Sequence, residues 1–264
     1  MSDGFARVAR GADNQAHVIG ALILRELHTR YGRDNIGYLW MIAEPALLAM
    51  AVTALHMGSA GPHAGAVPPA PFTIVGYCAF MIFRSVVTRA ESALEANKPL
   101  LFHRCVTIFD LLASRAILEA LSTVATMTIL LAGAWSFGLA QPPARPLLLM
   151  AAVGAMTWFS FAISMLVCAA TYENRLVAKL VHPATYILMP ISGAFFVLDW
   201  IPRPYRDWLA WSPMNQIFEM AHTGQFAGID SPYFHGDQIV GWCLALTFVG
   251  LLALRVLRRH VHLN

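Results

Sequence analysis

Charged residues are scarce in this chain. Of its 264 residues, 12% are Asp, Glu, Lys or Arg, while 58% are hydrophobic. Soluble domains carry about 25% charged and about 45–50% apolar residues, and they need the charged ones to cover their surface. The scarcity therefore excludes a soluble globular, disordered or coiled-coil protein. It predicts an all-α integral membrane protein that crosses the bilayer several times.

Cysteine is also scarce, and its four positions have no C-x-x-C spacing (Cys78, Cys105, Cys168 and Cys243). Three of them lie in apolar runs, which predicts small buried side chains rather than disulfides or metal ligands. The first fifteen residues lack the apolar core of a cleaved signal peptide, so we expect the first span to direct insertion. A net charge of +3 is too small to indicate a nucleic-acid partner.

The sequence lacks the motif for nucleotide hydrolysis, G-x-x-x-x-G-K-[ST], whose backbone and lysine bind phosphates. Gly32 and Gly37 have the glycine spacing, but Tyr38 and Leu39 stand in the Lys and Ser/Thr positions. The sequence also lacks the serine–histidine arrangement of an intramembrane protease and a third ligand for the two histidines of the tail. We therefore expect no catalytic residue, no metal site and no cofactor on this chain.

Six apolar segments reach or approach the length that crosses a bilayer. A hydrocarbon core of about 30 Å requires roughly 20 apolar residues in a helix. The second segment is short and carries Arg84, so its own composition leaves it a doubtful span. The six segments are residues 36–57, 71–87, 116–139, 147–170, 181–198 and 238–257.

The distribution of basic residues supports all six spans. With a cytoplasmic N-terminus, fifteen of the eighteen basic residues fall inside, and three fall outside (Arg145, Arg203 and Arg206). This bias follows the positive-inside rule, and removing the second span would move the basic cluster of residues 84–115 outside. We predict a cytoplasmic region at 1–35, a six-span domain at 36–257 and a cytoplasmic tail at 258–264. Arg84 is then expected to extend to the inner headgroups.

Three segments outside the spans have patterns of their own. Residues 17–30 place apolar side chains on one helical face and are too short to span, which predicts an amphipathic interfacial helix. Asn97–Phe102 is a compact apolar segment bounded by charge, expected to fold onto the membrane or into a partner's cleft. The long outer loop 199–237 contains Ser212–Pro213, a typical helix start, and predicts two short re-entrant helices before the last span.

Several polar and helix-breaking residues lie inside the predicted spans. Glu44 lies about two turns into the first span, where a charge costs roughly 2.5–3.5 kcal/mol, so it should face protein or water or be protonated. Trp158 lies at mid-depth, and its indole N–H is expected to find a partner in protein or a polar cavity. Pro190 and Gly193 are expected to bend the fifth span. Glu119, four residues after Arg115, predicts a surface ion pair.

The stretch from Arg25 to Pro45, RELHTRYGRDNIGYLWMIAEP, resembles the N-terminal signature of ABC-2-type permeases for polysaccharide export. In that family an interfacial helix ends in a basic and aromatic stretch and enters the first span through a Leu/Ile-Gly-x-x-Trp…Pro pattern. The overall size, the six spans and the outer loop are similar to the same family, closest to capsular polysaccharide exporters of Gram-negative bacteria. The matching positions are Arg25, Arg30, Tyr31, Ile36, Gly37, Trp40 and Pro45.

The resemblance implies the ABC-2 permease fold in a bacterial inner membrane, with both termini cytoplasmic. It implies a transporter of two permease copies and two ATPase subunits, which bind the ATP and Mg, so that this chain is not itself an enzyme. The cargo would be an acidic, lipid-linked polysaccharide that passes along the interface between the permease copies. A periplasm-spanning adaptor and an outer-membrane exporter would complete the route.

The resemblance also implies roles for individual residues. The ATPase-coupling helix corresponds to Asn97, Lys98, Pro99, Leu100, Leu101 and Phe102. The gating helix, near the point where substrate enters, corresponds to Arg25, Arg30, Tyr31 and Arg33, whose arginines would bind the substrate's phosphate or anionic lipid headgroups equally well. Aromatic side chains suit a sliding sugar polymer, and the channel candidates by depth are Glu44, Trp158, Tyr186, Phe195 and Phe196.

Two alternatives stay open at this point. The first is the same fold with another cargo, such as O-antigen, teichoic acid, a lipid or a drug. The second is a membrane scaffold that transports nothing and depends on no ATPase. Loss of surface glycan in a deletion strain separates the capsule exporter from the first alternative, and a co-purified nucleotide-binding subunit contradicts the second.

Overall fold

The computed structural model describes residues 2–31, 67–97, 99–100 and 106–260, together with eight single residues between 43 and 54. Within these ranges the chain forms nine α-helices and one short 3-10 helix (Leu198–Trp200). The helices are α1 (Ser2–Tyr31), α2 (Pro69–Ala90), α3 (Ala93–Ala96), α4 (Ile108–Ser136), α5 (Pro146–Glu173), α6 (Arg175–Ile191), α7 (Tyr205–Ala210), α8 (Pro213–Gln225) and α9 (Gly236–His260).

Four of these helices, α2, α4, α5 and α9, are long and apolar enough to cross a membrane. They correspond to the second, third, fourth and sixth predicted spans. In the first predicted span the described residues are helical, and Ala46, Ala49 and Thr53 are buried at helical spacing. Helix α6, at the fifth predicted span, has 17 residues, about 26 Å of helix against about 30 Å of bilayer core.

Helix α2 is the central helix of the bundle, although its composition is the weakest span signal of the six. It runs from Pro69 to Ala90, longer than the predicted 71–87, and is the most buried of the four long apolar helices. Its neighbours are α4, α5, α6 and α8, and the fully buried Phe80 and Ile82 belong to the main core. Because protein rather than lipid surrounds this helix, it needs no uninterrupted apolar surface to be stable.

Helix α4 begins two turns earlier than the apolar run predicts, at Ile108 instead of residue 116. A capping box fixes this start: the Asp110 backbone N–H donates to the Thr107 hydroxyl at 3.2 Å, and the Thr107 N–H donates to the Asp110 carboxylate at 3.0 Å. The predicted boundary was wrong because it followed hydrophobicity alone. The extra turns bring α4 alongside α1 and α3.

Helix α6 covers Arg175–Ile191 rather than the predicted 181–198, and it ends after Pro190 instead of bending there. Gly193 has a φ of +90°, a left-handed conformation that ends the helix and that side chains disfavour. A Cβ at Gly76 of α2 would lie 1.8 Å from the Ala194 carbonyl oxygen. The chain therefore turns at 192–194 directly against the backbone of α2, where a continuing helix would not fit.

Two short helices, α7 and α8, occupy the predicted outer loop. Helix α8 starts at Pro213 after Ser212, as predicted, although the Ser212 side chain makes no capping hydrogen bond. Every residue from Met214 to Gln225 is buried, and α8 packs against α2, α5 and α9. The cysteines at 78, 168 and 243 are buried and unbonded, as predicted.

Candidate coupling site

Helix α1 packs along the first turns of α4. It is longer than the predicted residues 17–30, and its apolar face buries Leu22. The Gln15 side chain donates a hydrogen bond to the Asp110 carboxylate at 2.8 Å, beside the capping box that starts α4. The amphipathic helix therefore contacts protein through part of its length.

The structure brings a predicted gating residue into contact with a predicted coupling residue. The Arg25 guanidinium donates to the Asn97 side-chain oxygen at 2.7 Å. Asn97 is only 4% exposed, and its side-chain amide donates to the Ala93 carbonyl at 2.9 Å. Its own backbone carbonyl accepts from the Leu100 N–H at 3.0 Å. Asn97 thus connects the end of α3, the start of the coupling segment and helix α1.

Ion pairs continue this contact into α2 and α4. Glu26 of α1 lies 3.7 Å from the Arg25 guanidinium and 3.6 Å from that of Arg115 on α4. Arg115 also donates to the Arg89 carbonyl at 3.0 Å, and the Arg89 guanidinium lies 3.1 Å from the Glu119 carboxylate. The side chains of Glu26, Arg115 and Glu119 are 13%, 10% and 12% exposed, so water screens these pairs less than surface pairs.

We call this set of residues the cytoplasmic joint, after the side of the membrane on which the sequence predicts it: Arg25, Glu26, Arg89, Asn97, Arg115 and Glu119. It joins α1, α2, α3 and α4 through hydrogen bonds and ion pairs of their side chains. Among the described residues, no group of three His, Cys, Asp or Glu side chains could hold a metal ion.

The sequence analysis names Arg25 and Asn97 but does not predict the joint as a whole. It predicts a surface pair of Glu119 with Arg115 on one helix, whereas both residues are buried in the structure. Glu119 pairs there with Arg89 of α2, and Arg115 pairs with Glu26 of α1. The signal that was present is the unusual density of charge at the cytoplasmic ends of apolar segments. Spacing along a sequence cannot say which of these charges meet.

The remaining predicted coupling and gating residues are only partly described. Pro99 is exposed and Leu100 is half-buried just after the joint. Arg30 and Tyr31 form the last residues of α1, where only the backbone is described. The others lie outside the described residues: Lys98, Leu101, Phe102, Arg33 and Glu44.

The channel candidates have different neighbours. Trp158 of α5 donates its indole N–H to the Thr247 hydroxyl of α9 at 3.0 Å, which confirms the predicted protein partner. Phe195 and Phe196 are half-buried in the turn after α6. Tyr186 of α6 is 56% exposed and contacts Arg84 of α2. Trp158 and Tyr186 therefore contact different helices, α9 and α2.

Comparison with known proteins agrees with this architecture. The chain matches the family described as ABC-2 type transporter over residues 17–226. It is 30% identical over 237 residues to the capsule polysaccharide export inner-membrane protein CtrC of Neisseria meningitidis serogroup B, covering 90% of this chain and 89% of the relative. It is 30% identical over 241 residues to BexB of Haemophilus influenzae, a protein with the same description, covering 91% of each.

A further relative is the polysialic acid transport protein KpsM of Escherichia coli, 28% identical over 252 residues, or 93% of this chain and 95% of the relative. The family match covers most of the chain and includes the cytoplasmic joint, the central helix α2 and the buried helix α8. The chain therefore belongs to the ABC-2 type transporter family.

Proposed function

We propose that this chain is the transmembrane permease subunit of an ABC exporter that moves lipid-linked capsular polysaccharide across the bacterial inner membrane. The relatives described as capsule polysaccharide export inner-membrane proteins support both the cargo and the membrane. The observation that carries the mechanism is the direct hydrogen bond between Arg25 and Asn97. It connects the segment assigned to the ATPase with the helix assigned to the substrate gate.

The proposed arrangement has six spans with both termini cytoplasmic, and α7 and α8 form the re-entrant helices. Two copies of the chain enclose the polysaccharide route, and two separate ATPase subunits bind ATP and Mg. A periplasm-spanning adaptor and an outer-membrane exporter receive the polymer. The burial of α8 among α2, α5 and α9 supports a re-entrant position for this helix.

In this mechanism the ATPase cleft holds the segment that begins at Pro99 and Leu100. When the cleft closes, the segment moves together with Asn97, because its backbone is hydrogen-bonded to that residue. Asn97 passes the movement to α1 through Arg25, and the pair of Glu26 with Arg115 passes it to α4. The result is a rigid-body shift between two packed arrangements, of the kind common in ATP-driven switches.

The arginines of the gating region have a chemical role in the same picture. Arg30 and Arg33 bind the phosphate of the lipid-linked end through charge-assisted hydrogen bonds, which are about twice as strong as neutral ones, whereas the Arg25 guanidinium is engaged with Asn97. Movement of α1 then changes the position of these groups relative to the membrane route. The chain itself hydrolyses nothing and holds no cofactor.

The coupling assignment is tested by Leu100→Asp in the complete transporter. Placing a carboxylate on the apolar segment should reduce the ATPase that co-purifies with the permease by about tenfold or more, because burying an unpaired charge costs several kcal/mol. Leu176→Asp is the matched control, since Leu176 is an exposed leucine at the cytoplasmic start of α6. Unchanged association and export in Leu100→Asp would contradict the assignment.

The cargo is tested separately by staining surface capsule in a deletion strain. The proposal predicts loss of surface capsule and its return when the wild-type gene is restored. A deletion strain that keeps its capsule would show that the transporter carries something else.

A further inference from the structure

A positively charged side chain lies on the central helix of the bundle. Arg84 is six residues before the end of α2, about 9 Å along the helix axis from its cytoplasmic end. Its side chain lies against α6. It belongs to a half-buried stripe on this mostly buried helix, formed by Met81, Arg84, Ser85 and Thr88.

The partner of Arg84 is Tyr186 of α6. The Arg84 guanidinium donates to the Tyr186 hydroxyl, and its central carbon lies 4.1 Å from the centre of the tyrosine ring. Tyr186 is 56% exposed, so this contact lies at an open edge between the two helices. Tyrosine holds the cation without neutralising it, and no carboxylate among the described residues forms an ion pair with Arg84.

A charged group inside a membrane-spanning segment is costly and typically marks the route of a substrate or ion. A guanidinium pairs with a carboxylate or phosphate through opposite charges and often through two parallel N–H bonds, whereas a tyrosine hydroxyl offers it one neutral oxygen. An anion that reaches this edge can therefore displace the Tyr186 hydroxyl, while the ring still supports the guanidinium. We propose that Arg84 and Tyr186 form a binding site for an anionic group of the exported substrate, a phosphate or a sugar carboxylate.

This inference rests on the proposed function and adds a site beyond the gating arginines. It places the first anion contact of the membrane route on α2, the same helix whose Arg89 belongs to the cytoplasmic joint. A movement passed to the end of α2 thus also moves the anion site. Binding of cargo and movement of the coupling segment are linked through one rigid helix.

A second polar contact between the same two helices provides a matched control. His182 of α6 lies 3.5 Å from the Glu91 carboxylate just after α2, closer to the cytoplasmic end than the Arg84–Tyr186 contact. This pair also holds α6 against α2, but any positive charge on His182 already faces a carboxylate and therefore attracts a further anion weakly. If Arg84 served only to pack the helices, removing either contact would have similar consequences.

The test measures binding to the detergent-purified complex of the permease with its ATPase, using three soluble probes. Oligosialic acid carries a carboxylate on each sugar, dihexanoylphosphatidylglycerol carries a lipid phosphate, and maltoheptaose is neutral. We expect Arg84→Gln to raise the Kd of at least one anionic probe by about tenfold or more while the neutral probe is unaffected. His182→Gln should leave every Kd within about twofold. The probe that responds identifies whether a sugar carboxylate or a phosphate occupies the site.

Equal affinity of wild type and Arg84→Gln for both anionic probes, or no binding of either to wild type, would overturn the site. A second measurement needs no variant. Phenylglyoxal reacts with arginine side chains, and its reaction with Arg84 in the wild-type complex should slow when the anionic probe that binds is present. Unprotected labelling would also overturn the proposal. These results leave the proposed function intact, since that function fails only if the deletion strain keeps its capsule.

Discussion

Helix α8, at the end of the bundle that the sequence predicts to face outward, contacts its neighbours backbone to backbone. Helix α1, at the predicted cytoplasmic end, is held through the ends of side chains. A Cβ at Gly224 of α8 would lie 2.7 Å from the Leu149 backbone nitrogen of α5, and the Arg145 N–H donates to the Gly224 carbonyl at 2.8 Å. At the other end, the closest link is the 2.7 Å hydrogen bond from Arg25 to Asn97.

This difference indicates which end can move. Backbones in direct contact have one packed arrangement, because a small shift leaves either a clash or a void. Arginine, glutamate and asparagine side chains can change rotamer and keep a hydrogen-bond partner while the helices that carry them shift. We therefore expect the end that contains α8 to stay fixed and the cytoplasmic joint to change.

The largest expected effect comes from disturbing the fixed end. Gly76→Ala places a methyl group against the Ala194 carbonyl, which is backbone and cannot turn aside. We expect a loss of about 3 kcal/mol or more, lowering the apparent melting temperature in detergent by about 6–12 °C. The melting temperature is measured by heating the protein in detergent and monitoring the folded fraction by fluorescence-detected size-exclusion chromatography.

Gly154→Ala is the matched control for this substitution. Gly154 also lies in a long apolar helix, α5, but a Cβ added there would meet no heavy atom within 4 Å, so alanine should be tolerated. Equal melting temperatures for Gly76→Ala and Gly154→Ala would show that the backbone contact at Gly76 does not make this end of the bundle rigid.

The second effect concerns the cytoplasmic joint. Arg115→Gln removes the charge that faces Glu26, in a side chain that is 10% exposed. Partial burial makes this pair stronger than a surface pair, and we expect a loss of about 2 kcal/mol, seen as a melting shift of about 4–8 °C. Glu26→Gln should give a similar shift, and the double variant less than the sum of the two. Fully additive shifts would show that the two residues do not interact.

A smaller effect is expected at mid-depth, where Trp158 of α5 bonds to Thr247 of α9. Hydrogen bonds between membrane helices contribute about 0.6 kcal/mol on average, so Trp158→Phe should lower the melting temperature by about 1–2 °C. A double-mutant cycle with Thr247→Val isolates this bond. A coupling several times larger would place Trp158 in the fixed part of the molecule.

The smallest effect is expected for an exposed ion pair at the start of α5. Asp230 lies 2.7 Å from the Arg145 guanidinium, but its side chain is 77% exposed. Asp230→Asn should change stability by less than about 0.5 kcal/mol, because water and salt screen such pairs. A loss of stability as large as that of Arg115→Gln would mean that burial does not decide how much an ion pair in this protein contributes.

The sequence predicted the four long apolar helices, because a helix that crosses a bilayer needs a long apolar run. It also located the start of α8 at Pro213. It underestimated the length of α2 and its central position. Other helices rather than lipid surround this helix, and hydrophobicity alone does not distinguish the two surroundings. It misplaced the end of α6 because the positive φ of Gly193 and the contact of Ala194 with Gly76 depend on the folded neighbours.

For the candidate site, the sequence indicates the separate segments but not the contacts between them. The motif beginning at Arg25 and the apolar segment after Asn97 were recognisable, since each has a distinctive local pattern. Their contact spans 72 residues of sequence, and only the packing of α1 beside α3 and α4 brings it about. The same holds for Arg84 and Tyr186, which are 102 residues apart.

The most direct test of the account measures ATP hydrolysis and glycan export together, in vesicles that contain the complete transporter with Arg25→Gln. Without the guanidinium, α1 loses its hydrogen bond to Asn97, while the segment proposed to contact the ATPase keeps its sequence. We expect hydrolysis to stay within about twofold of wild type and export to fall by about tenfold or more. Export that continues in proportion to hydrolysis would contradict the transmission of movement from the coupling segment to α1.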